Sequence, residues 1–429
     1  MKFLVGVVSL CMLAACSKHA SNESSVNETT NQDGKIESCN FGLTTFNLSK
    51  RAPLTDPWAN KGKPRGNGNG GGNSGGGTGT TDPGTGTTDP GTGTTDPGTT
   101  TPPPPPPPPP PAPGSGVILL DFDGHVVTGT YWNSYYGSTI NCAPANMSGD
   151  DVNKIVARVS GDYAPFNIIV TTDESVYNAA DAYKRMRVVI TESHEWYGTA
   201  GGVAFLNTFA AGNNTPCFVF SSLLNYKEKN IAEAAAHEAG HTFGLSHQAV
   251  WSGTTLTGSY SYGTGSGEIG WAPLMGAGYY QNTTTWHNGP TASAYNAYQD
   301  DVSIIAGAVG TKADDYSNSI TGAASLTSSL SGLISTNSDV DFFAINIASS
   351  KTLAAVPANI GPGNIGANLD LVMNVYNSSG QLVTTVNDPN LLNASTTLSA
   401  GQYYVSVSTT SNQYASNYGM LDRYSISLY

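Results

Sequence analysis

Apolar residues recur along this chain with two different periods, and the change of period divides it. Between 117 and 310, short apolar runs alternate with helical patterns. Val117 to Phe122 is a continuous β-prone run and predicts a buried strand. Val152, Ile155, Val156 and Val159 then recur at helical spacing behind Ser148 and Asp150, which predicts a helix with acids in its first turn. Phe166 to Thr171 predicts a strand, Ser175 to Tyr183 a short helix, and Arg187 to Thr191 another strand. Gly201 to Phe209 and Cys217 to Ser221 predict two more. Ile231 to Phe243 is rich in alanine, the best helix former, and Asn230 and Glu233 have the spacing of a capping box. Gly244 stands where a helix-ending left-handed residue belongs. Tyr295, Tyr298, Val302 and Ile305 mark a last amphipathic helix that closes the region near residue 310. This order predicts an α+β fold, a mixed twisted sheet with helices packed against it.

After Lys312 to Asp315 the period becomes two. Leu369, Leu371, Met373 and Val375 alternate with Asp370, Val372, Asn374 and Tyr376. Tyr403, Val405 and Val407 repeat the pattern, as do Tyr424, Ile426 and Leu428. Such runs separated by Gly, Asn and Ser predict an all-β antiparallel sandwich.

Ahead of residue 116 there is no period at all. Gly66 to Gly77 is rich in Gly and Asn, T-G-T-T-D-P-G starts at Thr78, Thr85 and Thr92, and Pro102 to Pro111 are consecutive prolines. Glycine-rich chain is a flexible coil and polyproline a stiff rod of about 3.1 Å per residue, so this stretch reads as a stalk without a fold. At the start, Lys2 precedes an apolar run from Phe3 to Met12, too short to span a bilayer. Leu13-Ala14-Ala15-Cys16 follows and resembles the bacterial lipobox, which implies a lipid-carrying Cys16 and an exported protein anchored at an outer membrane or cell surface; an ordinary secretory signal is the alternative. The expected divisions are a signal peptide at 1–15, a disordered tether at 16–115, a folded region at 116–311 and a β-rich domain at 312–429.

Composition narrows the partners. Charged residues make up only 11% of the 429, and the net charge is −13. That excludes the basic footprint nucleic acid requires. Membrane contact is expected through the lipid on Cys16 alone, and the chain is expected to be a monomer. Cys142 and Cys217 fall in one folded region and are candidates for a disulfide or for two separate buried thiols.

The densest chemistry is His237 to His247, reading H-E-A-G-H-T-F-G-L-S-H. His237 and His241, four apart, project from one helix face. Gly244 lets the chain turn so that His247 can return as a third ligand. Three neutral imidazoles with one open position are what catalytic zinc takes. Glu238, between ligands, is placed to carry a proton. His125, His194 and His287 have no partners at ligand spacing.

The extended pattern resembles the metzincin clan of zinc endopeptidases at every specified position. The resemblance implies one zinc ion, Glu238 as general base and acid, and a methionine turn beneath the metal, for which Met275 in A-P-L-M-G-A-G-Y-Y is suited. It also implies a peptide or protein substrate laid along an edge strand, for which Gly202, Val203 and Ala204 are candidates. Some metzincins carry a zinc-binding tyrosine two residues after the methionine; here Ala277 stands there, and Tyr279 and Tyr280 are the nearest candidates for an oxyanion role. Cys39, in S-C-N-F-G, does not match the inhibitory cysteine motif of matrix metalloproteases. S-D-V-D-F-F at 338–343, N-L-D-L at 368–371 and S-A-G-Q-Y-Y-V-S-V at 399–407 together resemble the bacterial pre-peptidase C-terminal domain. There Asp339, Asp341 and Asp370 are candidates for calcium or for capping turns. The rival to a peptidase is a surface adhesin or a glycan- or protein-binding lipoprotein with a degenerate or structural zinc site.

Overall fold

The computed structural model describes residues 115–429 and the backbone of Ile36–Cys39. The signal segment, Cys16 and the repeats and prolines of the expected stalk lie outside the described residues. Among those described, no helix is long and apolar enough to cross a membrane.

The elements in order are β1 (Ile36–Cys39), β2 (Gly116–Asp121), β3 (His125–Val127), α1 (Tyr131–Tyr136), β4 (Ile140–Cys142) and α2 (Gly149–Asp162). Then come β5 (Ile168–Thr171), α3 (Glu174–Ala179), β6 (Arg185–Thr191), β7 (Gly202–Phe205), β8 (Cys217–Phe220) and α4 (Glu228–Thr242). The principal sheet has the order β1-β7-β8-β6-β2-β5. Strands β5, β2, β6 and β8 run parallel, while β7 is antiparallel to β8, and β1 is antiparallel to β7. Helices α2 and α4 cover one face. Val188 and Ile190 on β6 join Ile155, Val159, Ile231 and Ala235 there, whereas Val189 between them points to the other face with Phe218, Phe220 and Trp132. That alternation is the two-residue period of a strand buried on both sides.

Several boundaries differ from the sequence pattern, each for a local reason. Helix α4 begins at Glu228 behind Lys227, so Asn230 and Glu233 lie inside it and form no capping box. Glu233 instead is buried and accepts from Thr284 Oγ1 and Lys229 Nζ. The last helix starts only at Asp301, because the Asp300 carboxylate caps it by accepting from Ser303 N at 2.9 Å, and Tyr295 and Tyr298 remain outside. Within the stretch expected to be a tether, the backbone of Ile36–Cys39 forms a strand; the rest of that stretch up to residue 114 lies outside the described residues. An isolated four-residue strand shows no pattern in sequence; it exists because β7 offers unpaired backbone groups.

Past α4 come β9 (Val250–Ser252), β10 (Thr255–Gly258), β11 (Trp271–Pro273), β12 (Thr283–Thr285), β13 (Asn288–Pro290), β14 (Tyr298–Asp300) and α5 (Asp301–Val309). These strands form three two-stranded sheets, β10-β9, β11-β12 and β13-β14. The β-rich region follows: β15 (Ala324–Ser325), β16 (Ser329–Leu333), β17 (Val340–Ile347), β18 (Lys351–Pro357), β19 (Leu371–Asn377), β20 (Leu382–Val386), β21 (Ala394–Leu398), β22 (Gly401–Thr409) and β23 (Arg423–Leu428). It forms a five-stranded sheet, β15-β17-β22-β19-β20, and a four-stranded sheet, β16-β23-β18-β21. Phe343, Ile345, Val405 and Val407 from the first share one core with Leu353, Ala355 and Ile426 from the second.

The β-rich region is bonded to the rest. Asn368 Nδ2 donates to Asp162 Oδ1 at 2.9 Å, and Leu392 N donates to Glu268 Oε1 at 2.8 Å. Tyr418 OH bonds to Asp300 and accepts from Val302 N. Gly419 lies so close to Trp286 that a Cβ would stand 1.8 Å from the tryptophan carbonyl oxygen. Only glycine fits there.

Two expectations are corrected here. Cys142 and Cys217 are both free buried thiols, one on the small β3-β4 hairpin and one at the start of β8, so the disulfide alternative gives way. Burial pushes both thiols up, Cys142 to about 12. Asp370 also stands apart from the other two C-terminal acids; it accepts from Asn412 Nδ2 at 2.8 Å and is absent from their cluster.

Candidate metal centre

Helix α4 presents His237 and His241 one turn apart, and every residue from Ile231 to Thr242 is buried. Alanine permits this. Ala232, Ala234, Ala235, Ala236 and Ala239 let the helix lie close to the sheet without side chains that would push it away. Gly240 has the same role on the next turn: a Cβ there would stand 2.7 Å from Met275 Sδ. The helix ends at Phe243, and Gly244 takes φ +100°, which turns the chain back. Its close approach to Asn207 Oδ1, 2.3 Å from where a Cβ would be, leaves no room for a side chain.

The turn brings His247 to the other two. His237 Nε2 lies 3.1 Å from His241 Nε2, which lies 3.0 Å from His247 Nε2. The opposite ring nitrogens are engaged. His237 Nδ1 donates to the carbonyl of Leu274 at 2.8 Å, and His241 Nδ1 donates to that of Leu245 at 2.6 Å. Carbonyls only accept, so these bonds fix the proton on Nδ1 and leave each Nε2 as a lone pair. Facing lone pairs at such separations repel unless a cation lies between them. A tetrahedral zinc with arms of about 2.05 Å would hold its ligands roughly 3.3 Å apart, close to the separations observed. Burial, aided by the neighbouring His241, holds His237 well below its usual 6.5, so it is neutral as a ligand must be. The donor set therefore fits zinc.

The surroundings fix the geometry. Met275 is fully buried against Gly240, and its carbonyl accepts from Gln248 N at 2.8 Å. The adjacent Leu274 carbonyl orients His237, so one short segment supplies both the packing and the second hydrogen bond. Glu238 is fully buried and close to Gly202 on β7; a Cβ on Gly202 would stand 2.6 Å from Glu238 Oε1. The residue between the ligands and the expected substrate strand thus meet at a point. Val203 and Ala204 continue β7, and β1 lies along its outer side with Cys39 opposite Gly202 and Ile36 opposite Phe205.

The tyrosines divide. Tyr280 is 85% exposed, while Tyr279 is partly buried and packs with Tyr260 and Ala277. Tyr260 had no motif to mark it. Its ring centroid lies 4.3 Å from that of His247. Only the return of the chain through β9 and β10 brings it there. His125, His194 and His287 are outside the cluster.

Residues 163–248, which contain all three histidines and Glu238, match the family model described as metallo-peptidase family M12B, reprolysin-like. No curated protein matches the chain. Two solved structures are similar to parts of it. One is the pre-peptidase C-terminal domain of a collagenase from Bacillus anthracis, at 15% identity over 25% of this chain and 91% of that one, with a TM-score of 0.18. The other is PliG from Aeromonas hydrophila, a periplasmic inhibitor of g-type lysozyme, at 14% identity over 24% of this chain and 84% of that one, with a TM-score of 0.16.

Proposed function

We propose, from the metallopeptidase match, that this chain is a zinc-dependent endopeptidase acting on proteins or peptides. The observation that carries the reading is the convergence of three Nε2 atoms, two of which, on His237 and His241, have the ring proton committed to a carbonyl on the other nitrogen. His237, His241 and His247 would hold the ion. Zinc in such a site polarises a carbonyl and makes a bound water more acidic. Glu238 accepts a proton from the attacking water and delivers it to the leaving amide nitrogen. Its neighbours His237 and His241 face the metal, and this leaves the carboxylate beside the site to act on the proton. We read β7 as the strand on which an extended substrate is laid by main-chain hydrogen bonds. The C-terminal sheets are read as a sandwich. The N-terminal segment is read as export machinery with lipid on Cys16, which would hold the enzyme at a membrane or cell surface.

Metal removal tests the core of this reading. Dialysis against a strong chelator is expected to abolish cleavage of a denatured protein substrate, and stoichiometric zinc is expected to restore it. Hydrolysis that survives with no zinc in the protein, by elemental analysis, would falsify the proposal. The adhesin reading predicts no hydrolysis under either condition.

The strand at Ile36–Cys39 leads to a second prediction. It lies on the same edge of β7 that a substrate would use, and backbone pairing there is exclusive. A chain beginning at residue 115 is expected to cleave a peptide substrate faster than the longer chain, chiefly through a lower KM. Equal KM values for the two would show that β1 does not compete with substrate.

A further inference from the structure

The chain presents His247 differently from its two partners. His237 and His241 are one turn apart on α4, so the helix fixes the direction in which each side chain leaves the backbone. His247 follows the turn at Gly244 and lies in neither a helix nor a strand. Backbone bonds hold the chain on both sides of it. Ser246 N donates to Gln299 Oε1 at 2.8 Å, and Gln248 N donates to the Met275 carbonyl at 2.8 Å. Such bonds place the backbone of His247. They do not set the rotation of its ring about the side-chain bonds, which falls to the groups packed against it.

Tyr260 meets that ring. The two ring planes are 39° apart at the 4.3 Å centroid separation, and both residues are buried. Tyr260 is itself braced. It lies in the loop between β10 and β11, and the next residue is laced to the segments on either side. Ser261 N donates to the Gln248 carbonyl, and the Ser261 carbonyl accepts from Ala277 N, each at 2.8 Å. Gly276 comes so close to the same carbonyl that a Cβ there would stand 2.2 Å from it. Ala277 is buried and packs with Tyr260, and Tyr279 packs against both. The small side chain at 277 is what lets a tyrosine ring lie there. Tyr260 is thus held between the segment that carries His247 and the turn that carries Met275.

We propose, on the zinc reading above, that Tyr260 is the positioning residue for His247 and, through it, for the metal centre. Carbonyls of Leu274 and Leu245 orient His237 and His241. Tyr260 orients the third imidazole by packing. Its ring limits rotation of the imidazole away from His241 Nε2, which lies 3.0 Å from His247 Nε2. An aromatic face is electron-rich, and an imidazole that gives a lone pair to a cation becomes electron-poor, so contact between the two rings favours the ligating state. The role belongs to the ring and not to the hydroxyl, which separates phenylalanine from leucine as a replacement. The competing arrangement is a core tyrosine that stabilises its own loop and has no bearing on metal.

Zinc affinity of the full chain, measured by competition with a chromophoric chelator, tests this without peptide hydrolysis. Tyr260→Leu is expected to weaken zinc binding about tenfold or more, the weight of a group that orients a metal ligand, and Tyr260→Phe to keep the parent affinity. With CoCl2 in place of zinc, the visible bands report the arrangement of ligands about the cobalt. They are expected to shift in Tyr260→Leu and to stay in place in Tyr260→Phe. Should Tyr260→Leu fail to fold, Tyr260→Met decides, because its flexible chain fills the loop without supplying a ring. Parent-like affinity and bands in the variant without the ring overturn the proposal and leave the zinc reading standing. A loss in Tyr260→Phe as large as in Tyr260→Leu overturns the assignment to the ring. A parent chain that binds no zinc overturns the zinc reading itself, and this proposal with it.

Discussion

Glu238→Ala is expected to lower kcat on a denatured protein substrate by about 10²–10⁴-fold, the usual weight of a positioned acid–base group, while zinc remains bound. The expectation rests on where the side chain lies. Glu238 is fully buried on α4, next to His237 and three residues before His241, and it approaches Gly202 on β7 closely enough that no Cβ fits between them. Under the proposed function, a carboxylate in that position would serve the scissile bond of a peptide laid on β7. KM should change little, because peptide binding is carried by backbone pairing. Zinc content measured alongside activity separates a lost proton carrier from a lost metal. Hydrolysis unchanged in the variant would sink the proposed mechanism. Absence of hydrolysis in the parent protein as well would favour the adhesin reading.

The second large effect concerns the β-rich region. A chain ending at residue 311 is expected to lose its fold, and the longer chain to unfold in one cooperative transition by calorimetry. Asp162 at the end of α2 is buried, and its carboxyl is pushed well above its ordinary value by burial and by Glu233; Asn368 is the side chain that donates to it from across the boundary. Glu233 sits on the same helix as His237 and His241 and pairs with Arg158. Removing the Asn368 donor from this buried carboxyl costs about 1–3 kcal/mol, a sizeable share of the roughly 5–15 kcal/mol a domain has. Truncation would also uncover Ile269, which packs with Ala367 and Leu392. Two independent transitions in the calorimeter would refute this coupling.

The same interface should respond to pH through Asp422, whose Oδ2 lies 2.7 Å from where a Cβ on Gly161 of α2 would stand. Burial raises the Asp422 carboxyl from 3.8 to about 6. A group whose pKa is higher folded than unfolded adds stability that is present below the unfolded value and is lost as pH rises through the folded one. The contribution of Asp422 is therefore lost between about pH 4 and pH 6.

Much of this was legible beforehand because it depends on spacing along one helix. His237, Glu238 and His241 are fixed relative to each other by the α-helical repeat, and Gly244 marks the turn that returns His247. Met275 was legible from its turn-forming company. The strand periods likewise marked β2, β6 and β8, whose apolar runs are buried. Other features left no local trace. Tyr260 reaches His247 only through chain return. β1 is a strand only because β7 leaves an edge, and Asp314 joins Asp339 and Asp341 across a gap in sequence that no motif spans. The candidate calcium set read from the sequence, which included Asp370, differs for the same reason: alternation along a strand fixes which face a residue takes, not which loop packs beside it.

By itself, then, the sequence determined the three histidines that the fold brings together, the acid beside the first of them and the change from mixed to β structure, since short-range periods and steric limits suffice for these. The tertiary structure decided the tautomers that turn the Nε2 lone pairs of His237 and His241 inward, the strand that covers β7 and the bonds joining the β-rich region to α2. Those depend on which carbonyl, edge or carboxylate arrives from far along the chain, and packing alone sets that.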